Sequence, residues 1–75
     1  MTWADEHAQS QDLAARADIL VARGHSDAAV ALYQAAAEAE ERAIGFLDSS
    51  KPKTLGVTLV SAVTLYYRAA ALDRA

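Results

Sequence analysis

Few side chains in this sequence could act as metal ligands or general bases. His7 and His25 are the only two histidines, and the chain contains no cysteine. Asp27 follows His25 by two residues, a separation that places two side chains on different faces of a helix. A protein metal site needs three or four ligands at about 2.0–2.3 Å from the ion. We therefore expect His25 to be a solvated turn residue and the chain to hold no metal ion.

Carboxylate and hydroxyl side chains also lack the companions that catalysis requires. Glu38 and Glu41 share a helix face, but no Glu-x-x-His pair accompanies them, as a di-metal site in a helical bundle would need. Ser61 has no histidine at a plausible spacing, and the sequence has no phosphate-loop or dinucleotide-binding glycine pattern. We predict that the chain is not an enzyme and uses no cofactor.

The size and composition of the chain describe one small domain over residues 1–75. The 75 residues carry a net charge of −3, and 53% of them are hydrophobic, but nineteen of these are alanine. This composition leaves a thin core for a domain of this length. The negative charge argues against nucleic-acid binding, which needs a basic face to meet phosphates.

No segment reads as a targeting signal or a membrane span. The residues from Met1 to Gln11 lack the basic and apolar regions of a signal peptide, which favours a cytoplasmic protein. The longest apolar segment, Leu55–Tyr67, is thirteen residues long before Arg68 interrupts it. A bilayer span needs about 20 residues, so we predict that the chain does not cross a membrane.

Apolar periodicity predicts three helices, over about residues 3–23, 27–47 and 52–72. Thr2 can cap the first helix, with Asp5 as the acid of a capping box. Gly24 can take the left-handed conformation that ends this helix. Ser26 is the expected N-cap of the second helix, and residues 48–52 form the second break. The predicted fold is all-α, an antiparallel three-helix bundle.

The second predicted helix has the most regular pattern. Its inner face is rich in alanine, which permits close approach of neighbouring helices. That face comprises Ala29, Leu32, Tyr33, Ala36, Ala39, Ala43, Phe46 and Leu47. The opposite face is polar and comprises Gln34, Glu38, Glu41 and Arg42.

The third predicted helix is apolar over most of its circumference. Its β-branched residues also suit a strand, but a polar line at spacings of four and three favours a helix. That line comprises Thr54, Thr58, Ser61, Thr64 and Arg68. A core-facing stripe comprises Leu55, Leu59, Ala62, Val63 and Tyr66, and Val57, Val60, Leu65 and Tyr67 lie away from it. Two short helices can cover only part of this surface, so we expect the rest to bind another chain.

Six residues of the third helix are the predicted partner-binding set: Val57, Val60, Ser61, Thr64, Tyr67 and Arg68. Exposed valines would supply affinity, and Arg68 would pair with an acidic group on the partner. Trp3 is expected to cover one end of the bundle, and Tyr33 and Tyr66 to lie in the core. Three alternatives remain: a homodimer that pairs through the same surface, a fragment of a longer helical-repeat scaffold whose next helix covers it, and an enzyme-accessory or small-ligand bundle, for which the sequence shows no polar site.

Two families share patterns with this chain. Leu20, Gly24, Ala29, Tyr33 and Ala36, in that order, resemble a tetratricopeptide repeat, with its large residue late in one helix, glycine turn and alanine–aromatic–alanine triplet. This resemblance implies a helical hairpin that binds protein segments and catalyses nothing.

The chain is also similar to a microtubule-interacting and trafficking (MIT) domain, an antiparallel three-helix bundle of about this length. Gly24, Leu32 and Tyr33 suit the first turn and second helix of that domain, and Arg68 with Leu72 suits the signature late in its third helix. This resemblance likewise implies a non-catalytic module that binds a protein segment in a groove between helices.

Overall fold

Three helices make up the computed structural model, which describes residues 2–47 and 51–74. They are α1 (Trp3–Ala22), α2 (Ser26–Ile44) and α3 (Pro52–Arg74), and the described residues contain no strand. The predicted all-α, three-helix fold is confirmed. Residues 48–50 of the predicted second break lie outside the described part of the chain.

The predicted signals at both ends of α1 are confirmed. The Thr2 hydroxyl accepts a hydrogen bond from the Asp5 amide at 3.2 Å, and the Asp5 carboxylate accepts one from the Thr2 amide at 3.0 Å. This reciprocal pair is a capping box. At the other end Gly24 has a φ of 81°, and the His25 amide donates to the Leu20 carbonyl at 2.8 Å. That bond closes a Schellman turn, which satisfies carbonyls of the last turn of α1.

The prediction that Ser26 caps α2 was wrong. Ser26 is the first helical residue, and the N-cap is His25, whose side chain makes no capping hydrogen bond. The Schellman turn leaves only three residues between the helices, so the chain enters α2 one residue early. The far end of α2 also differs from the prediction, because the helix stops at Ile44 and Phe46 is exposed.

Helix α2 lies between the other two helices and packs along both, whereas α1 and α3 barely touch. The described chain is accordingly a flat layer, with principal extents of 42 × 21 × 14 Å. The core at the α2 interfaces consists mostly of small side chains: Ala17, Ala29, Tyr33, Ala36, Ala37, Leu65 and Ala69. Alanine lets helix backbones approach closely, so the axes pack tightly with few large apolar groups.

Helix α3 is rotated relative to the predicted stripe. The residues that α3 buries are Thr58, Ala62, Leu65 and Ala69, at spacings of four, three and four. Leu59, Val63 and Tyr66 of the predicted core stripe are exposed, and Leu65, predicted to lie away from that stripe, is buried. Small residues face the alanine surface of α2 because they allow the closest approach, and this leaves larger aliphatic residues outside.

By length and composition alone, α3 also meets the requirements for a membrane-spanning helix, and 22% of its most apolar stretch is buried against the rest of the chain. A core helix of a soluble protein can meet the same requirements, so this finding is weak evidence for a span.

Two glycine-to-alanine variants should change stability in opposite directions. A Cβ would meet no atom within 4 Å at either Gly24 or Gly56, so the backbone alone decides the effect. Gly24→Ala forces alanine into a left-handed conformation and should lower the free energy of unfolding by about 1–2 kcal/mol. Gly56→Ala, inside α3, should raise it by about 0.5–1 kcal/mol. Urea unfolding followed by circular dichroism measures both changes, and equal effects of the same sign would contradict the assignment of these backbone conformations.

Candidate binding groove

A groove runs along α3 on the side that faces α1, because these two helices pack on α2 and leave space between themselves. Its middle section has a volume of about 310 Å³. The lining combines small and polar residues: Gln11, Ala14, Ala15 and Asp18 of α1, and Val60, Ser61, Thr64, Leu65 and Arg68 of α3. Polar groups of both helices therefore converge on this section.

The groove continues into an apolar depression at each end. The depression at the start of α3 has a volume of about 550 Å³ and is lined by Pro52, Lys53, Gly56, Val57, Val60 and Ser61. The one at its far end has a volume of about 210 Å³ and is lined by Val21, Tyr33, Tyr67, Arg68, Ala71 and Leu72. Each shares lining residues with the middle section, and the depression at the start is lined by α3 alone. We call the three adjoining sections together the α1–α3 groove; they follow α3 from Pro52 to Leu72, about 30 Å at the helical rise of about 1.5 Å per residue.

All six residues of the predicted partner-binding set line the α1–α3 groove. Ser61, Thr64 and Arg68 lie in its middle section, Val57 lies at the start, and Tyr67 at the far end. Val60 belongs to the first two sections. Val57 is 64% exposed, Val60 67% and Tyr67 74%. The structure brings these residues together, and their contact with a partner stays a prediction.

Arg68 lies beside a carboxylate of its own chain. Its Nη1 is 3.9 Å from Asp18 Oδ1, at the outer limit of an ion pair, and the Tyr33 hydroxyl donates a hydrogen bond to the same oxygen. Burial, together with this hydrogen bond and the negative charge of Asp18, raises the pKa of Tyr33. The three side chains link all three helices in the wall of the groove, and both charged groups remain about half exposed.

Tyr66 lies on the opposite flank of α3, and its predicted place in the core was wrong. The side chain is exposed and lies near Glu41 of α2. Hydrogen bonding to Glu41, with partial burial and the negative charges of Glu41 and Glu38, raises the pKa of Tyr66 to about 12. Tyr66 therefore links α3 to α2 and contributes nothing to the groove.

A buried polar cluster at the start of α1 was missed by the sequence analysis. Glu6, Ser10, Glu40 and Thr58 are almost fully buried. Arg42 Nε donates to Glu6 Oε2 at 2.9 Å, and His7 Nδ1 is 2.7 Å from Glu40 Oε1. The spacing of the sequence does indicate that Glu6 and Ser10 are buried. Glu6, Ser10, Leu13 and Ala17 follow one another at intervals of four, three and four residues, so they share one helix face.

Trp3 joins this polar cluster to α3. Its indole ring stacks on His7, with ring centroids 4.7 Å apart and planes within 9°. The indole Nε1 donates to the Thr58 hydroxyl at 3.1 Å, and that hydroxyl donates to the Thr54 carbonyl at 2.7 Å. Trp3 thus closes the end of the helix layer, and its hydrogen bond explains why α3 can bury a threonine.

Within residues 2–47 and 51–74, no three histidine, aspartate or glutamate side chains converge as metal ligands. His25 is exposed in the turn, and Glu38 and Glu41 lie on the exposed face of α2. No family model, curated protein or solved structure that was compared with the chain matches it. The resemblances to the tetratricopeptide repeat and the MIT domain rest on the sequence patterns alone.

Glu6 is buried, so the loss of its ion-pair partner Arg42 should lower the stability of the chain. Arg42→Met leaves the buried Glu6 carboxylate without its charged donor and should lower the free energy of unfolding by about 1–3 kcal/mol. Arg16→Met is the control, because the Arg16–Asp12 pair is exposed at both ends and should contribute less than about 1 kcal/mol. Urea unfolding distinguishes the two, and equal losses would show that Glu6 gains nothing from Arg42.

The raised pKa of Tyr66 can be tested by its own titration. Because the pKa in the folded state, about 12, exceeds the unfolded value of about 10, the stabilisation from Tyr66 is present below pH 10. It is lost as the pH rises from about 10 to 12. Glu41→Gln should move the phenolate absorbance step of Tyr66 toward lower pH, because Glu41 is the main cause of the raised pKa. Glu38→Gln should move it less, because Glu38 acts by charge alone, and an equal shift would contradict the Glu41 hydrogen bond.

Proposed function

We propose that this chain is a non-catalytic protein–protein interaction module that binds a partner segment in the α1–α3 groove. The observation that carries the proposal is the series of three adjoining sections that follow α3 for about 30 Å and share Val60, Ser61 and Arg68 as lining residues. Recognition of protein segments in surface grooves combines apolar pockets for anchoring side chains with polar groups for the backbone. The α1–α3 groove offers both, in separate sections.

The ends of the groove suit apolar anchors. Val57 and Val60 line the depression at the start of α3, and Tyr67 lines the depression at its far end. Covering three exposed apolar side chains of this size removes enough apolar surface from water to contribute several kcal/mol at about 25 cal/mol per Å². A bound segment would therefore carry one apolar side chain, or a small group of them, at each end.

The middle of the groove suits the polar backbone and one acidic side chain of the partner. Gln11 and Ser61 face the space between the helices from opposite walls, and the Thr64 hydroxyl donates to the Val60 carbonyl, which leaves its oxygen able to accept. Arg68 lies 3.9 Å from Asp18, so a partner carboxylate could approach the guanidinium and form a shorter, charge-assisted bond. An extended segment satisfies these groups best, because its backbone donors and acceptors are unpaired.

Peptides selected against the immobilised chain from a random phage-displayed library provide the test. Val60→Asp removes an apolar anchor, and Ala15→Tyr fills the middle section from the α1 wall. Each should weaken binding of the selected peptides at least about tenfold, equivalent to about 1.4 kcal/mol. Helicity should be retained, because Val60 and Ala15 are exposed. Fluorescence anisotropy of labelled peptides measures the affinities.

Matched controls place the same changes outside the groove. Ile19→Asp puts a charge on an exposed apolar residue of α1, and Ala8→Tyr enlarges an exposed alanine, and neither residue lines the groove. Both variants should bind like the unchanged chain. The proposal would be refuted if the selected peptides bound the groove variants and the controls equally well. It would also be refuted if NMR chemical-shift changes of backbone amides on peptide binding lay outside the groove. Loss of helicity in Val60→Asp would place Val60 in the core and remove the groove wall.

A further inference from the structure

The outer face of α3, turned away from α2, is a second apolar surface. Its residues recur at spacings of four and three, and all are exposed: Gly56, Val60, Val63, Tyr67 and Ala70, the α3 seam. They lie on the side of the helix opposite the buried line of Thr58, Ala62, Leu65 and Ala69. Val63 is 67% exposed and does not line the α1–α3 groove. The seam is therefore a helix-spaced apolar face that shares Gly56, Val60 and Tyr67 with the groove wall and extends beyond the groove at Val63 and Ala70.

Charges are distributed very unevenly around this seam. The fourteen residues from Thr54 to Tyr67 carry no charge. Lys53 lies three residues before Gly56 and Arg74 lies four residues after Ala70, so the two cations continue the spacing of the seam at its two ends. Residues 51–74 contain four basic and one acidic residue, a formal charge of +3, whereas residues 2–47 contain three basic and eight acidic residues, a formal charge of −5. The seam is thus an apolar face with a cation at each end, in an otherwise acidic protein.

This arrangement disfavours a second copy of the chain as the occupant. Antiparallel pairing of two seams along their whole length brings Lys53 of one copy beside Arg74 of the other. Parallel pairing brings each cation beside its own counterpart. Both orientations place like charges at the ends of a two-fold interface, where they repel.

We propose that the α3 seam binds an amphipathic helix of another protein that carries carboxylates at both ends of its apolar stripe. The stripe of that helix packs on Val60, Val63 and Tyr67, and the small residues Gly56 and Ala70 admit larger side chains from the partner. The terminal carboxylates pair with Lys53 and Arg74. Apolar contact supplies the affinity, and the charges at the ends fix the orientation and select the partner. This inference goes beyond the proposed function of the groove, with which the seam shares Val60 and Tyr67, and Val63 distinguishes the two because it lies outside the groove.

Two synthetic helical peptides with the same central leucine stripe test the charge requirement. One carries glutamates at both ends and the other carries lysines at the same positions. At low salt the glutamate peptide should bind the chain at least about tenfold more tightly, and this preference should shrink as the salt concentration rises. Equal affinity for the two peptides would overturn the proposed partner chemistry, and no binding of either peptide would overturn the seam as a docking site.

Variants locate the binding on the seam. Val63→Asp should reduce the affinity for the glutamate peptide at least about tenfold, whereas Ile19→Asp should leave it unchanged. Ala15→Tyr, which blocks the groove, should also leave it unchanged, so failure of the groove proposal and failure of the seam proposal give different results. Unchanged binding by Val63→Asp, with the helicity of both variants verified by circular dichroism, would place the peptide elsewhere.

Two other occupants have their own readouts. Light scattering over a range of concentrations should show a monomer, and a dimer that Val63→Asp dissociates would show that a second copy covers the seam. The chain should not co-sediment with vesicles of phosphatidylglycerol and phosphatidylcholine. Sedimentation that depends on phosphatidylglycerol and is lost in Val63→Asp would assign the seam to a lipid surface and overturn the proposal.

Discussion

The close packing of α2 between two neighbours is the constraint on which the rest of the structure depends. Five alanines of α2 are completely buried: Ala29, Ala36, Ala37, Ala39 and Ala43. Because these side chains are so small, α1 and α3 can both lie close to α2 and share its wide inner face. Once both flank α2, they are too far apart to pack on each other along their length. The flat layer and the α1–α3 groove are consequences of that one surface.

An alanine core is short of apolar area, and polar contacts between the helices supplement it. The Glu6–Arg42 and His7–Glu40 pairs join α1 to α2 at one end of the layer, and Tyr33, Asp18 and Arg68 join all three helices nearer the other end. Hydrogen bonds are directional, whereas contacts among alanines allow helices to slide. These pairs therefore fix the axial position of each helix, and with it the shape of the groove.

The sequence was sufficient where the determinant is local. Thr2, Asp5 and Gly24 act within a single turn of the chain, and the structure confirms each of them. The orientation of α3 was not predictable in this way, because three of its faces are apolar and periodicity alone cannot choose between them. The choice depended on α2, whose alanine surface selects small residues such as Ala62 and Ala69. Glu40 was missed for a related reason: a charged residue on an inner face becomes favourable only when His7 of another helix meets it.

The same constraint explains why the exposed apolar residues are concentrated on α3. In a flat layer of three helices, the central helix is covered on two flanks. Each outer helix is covered on one flank only, and its opposite flank faces solvent. The exposed surface of α1 carries the Asp12–Arg16 ion pair at 3.1 Å, and Ile19 and Val21 are its exposed large apolar residues. Helix α3 has no charged residue from Thr54 to Tyr67, so its open face exposes valines and Tyr67. Stability of the layer does not require these residues to be apolar, since polar residues at the same positions would keep every buried contact. Their apolar character is therefore not needed for folding, and it supports the proposal that α3 carries a binding surface.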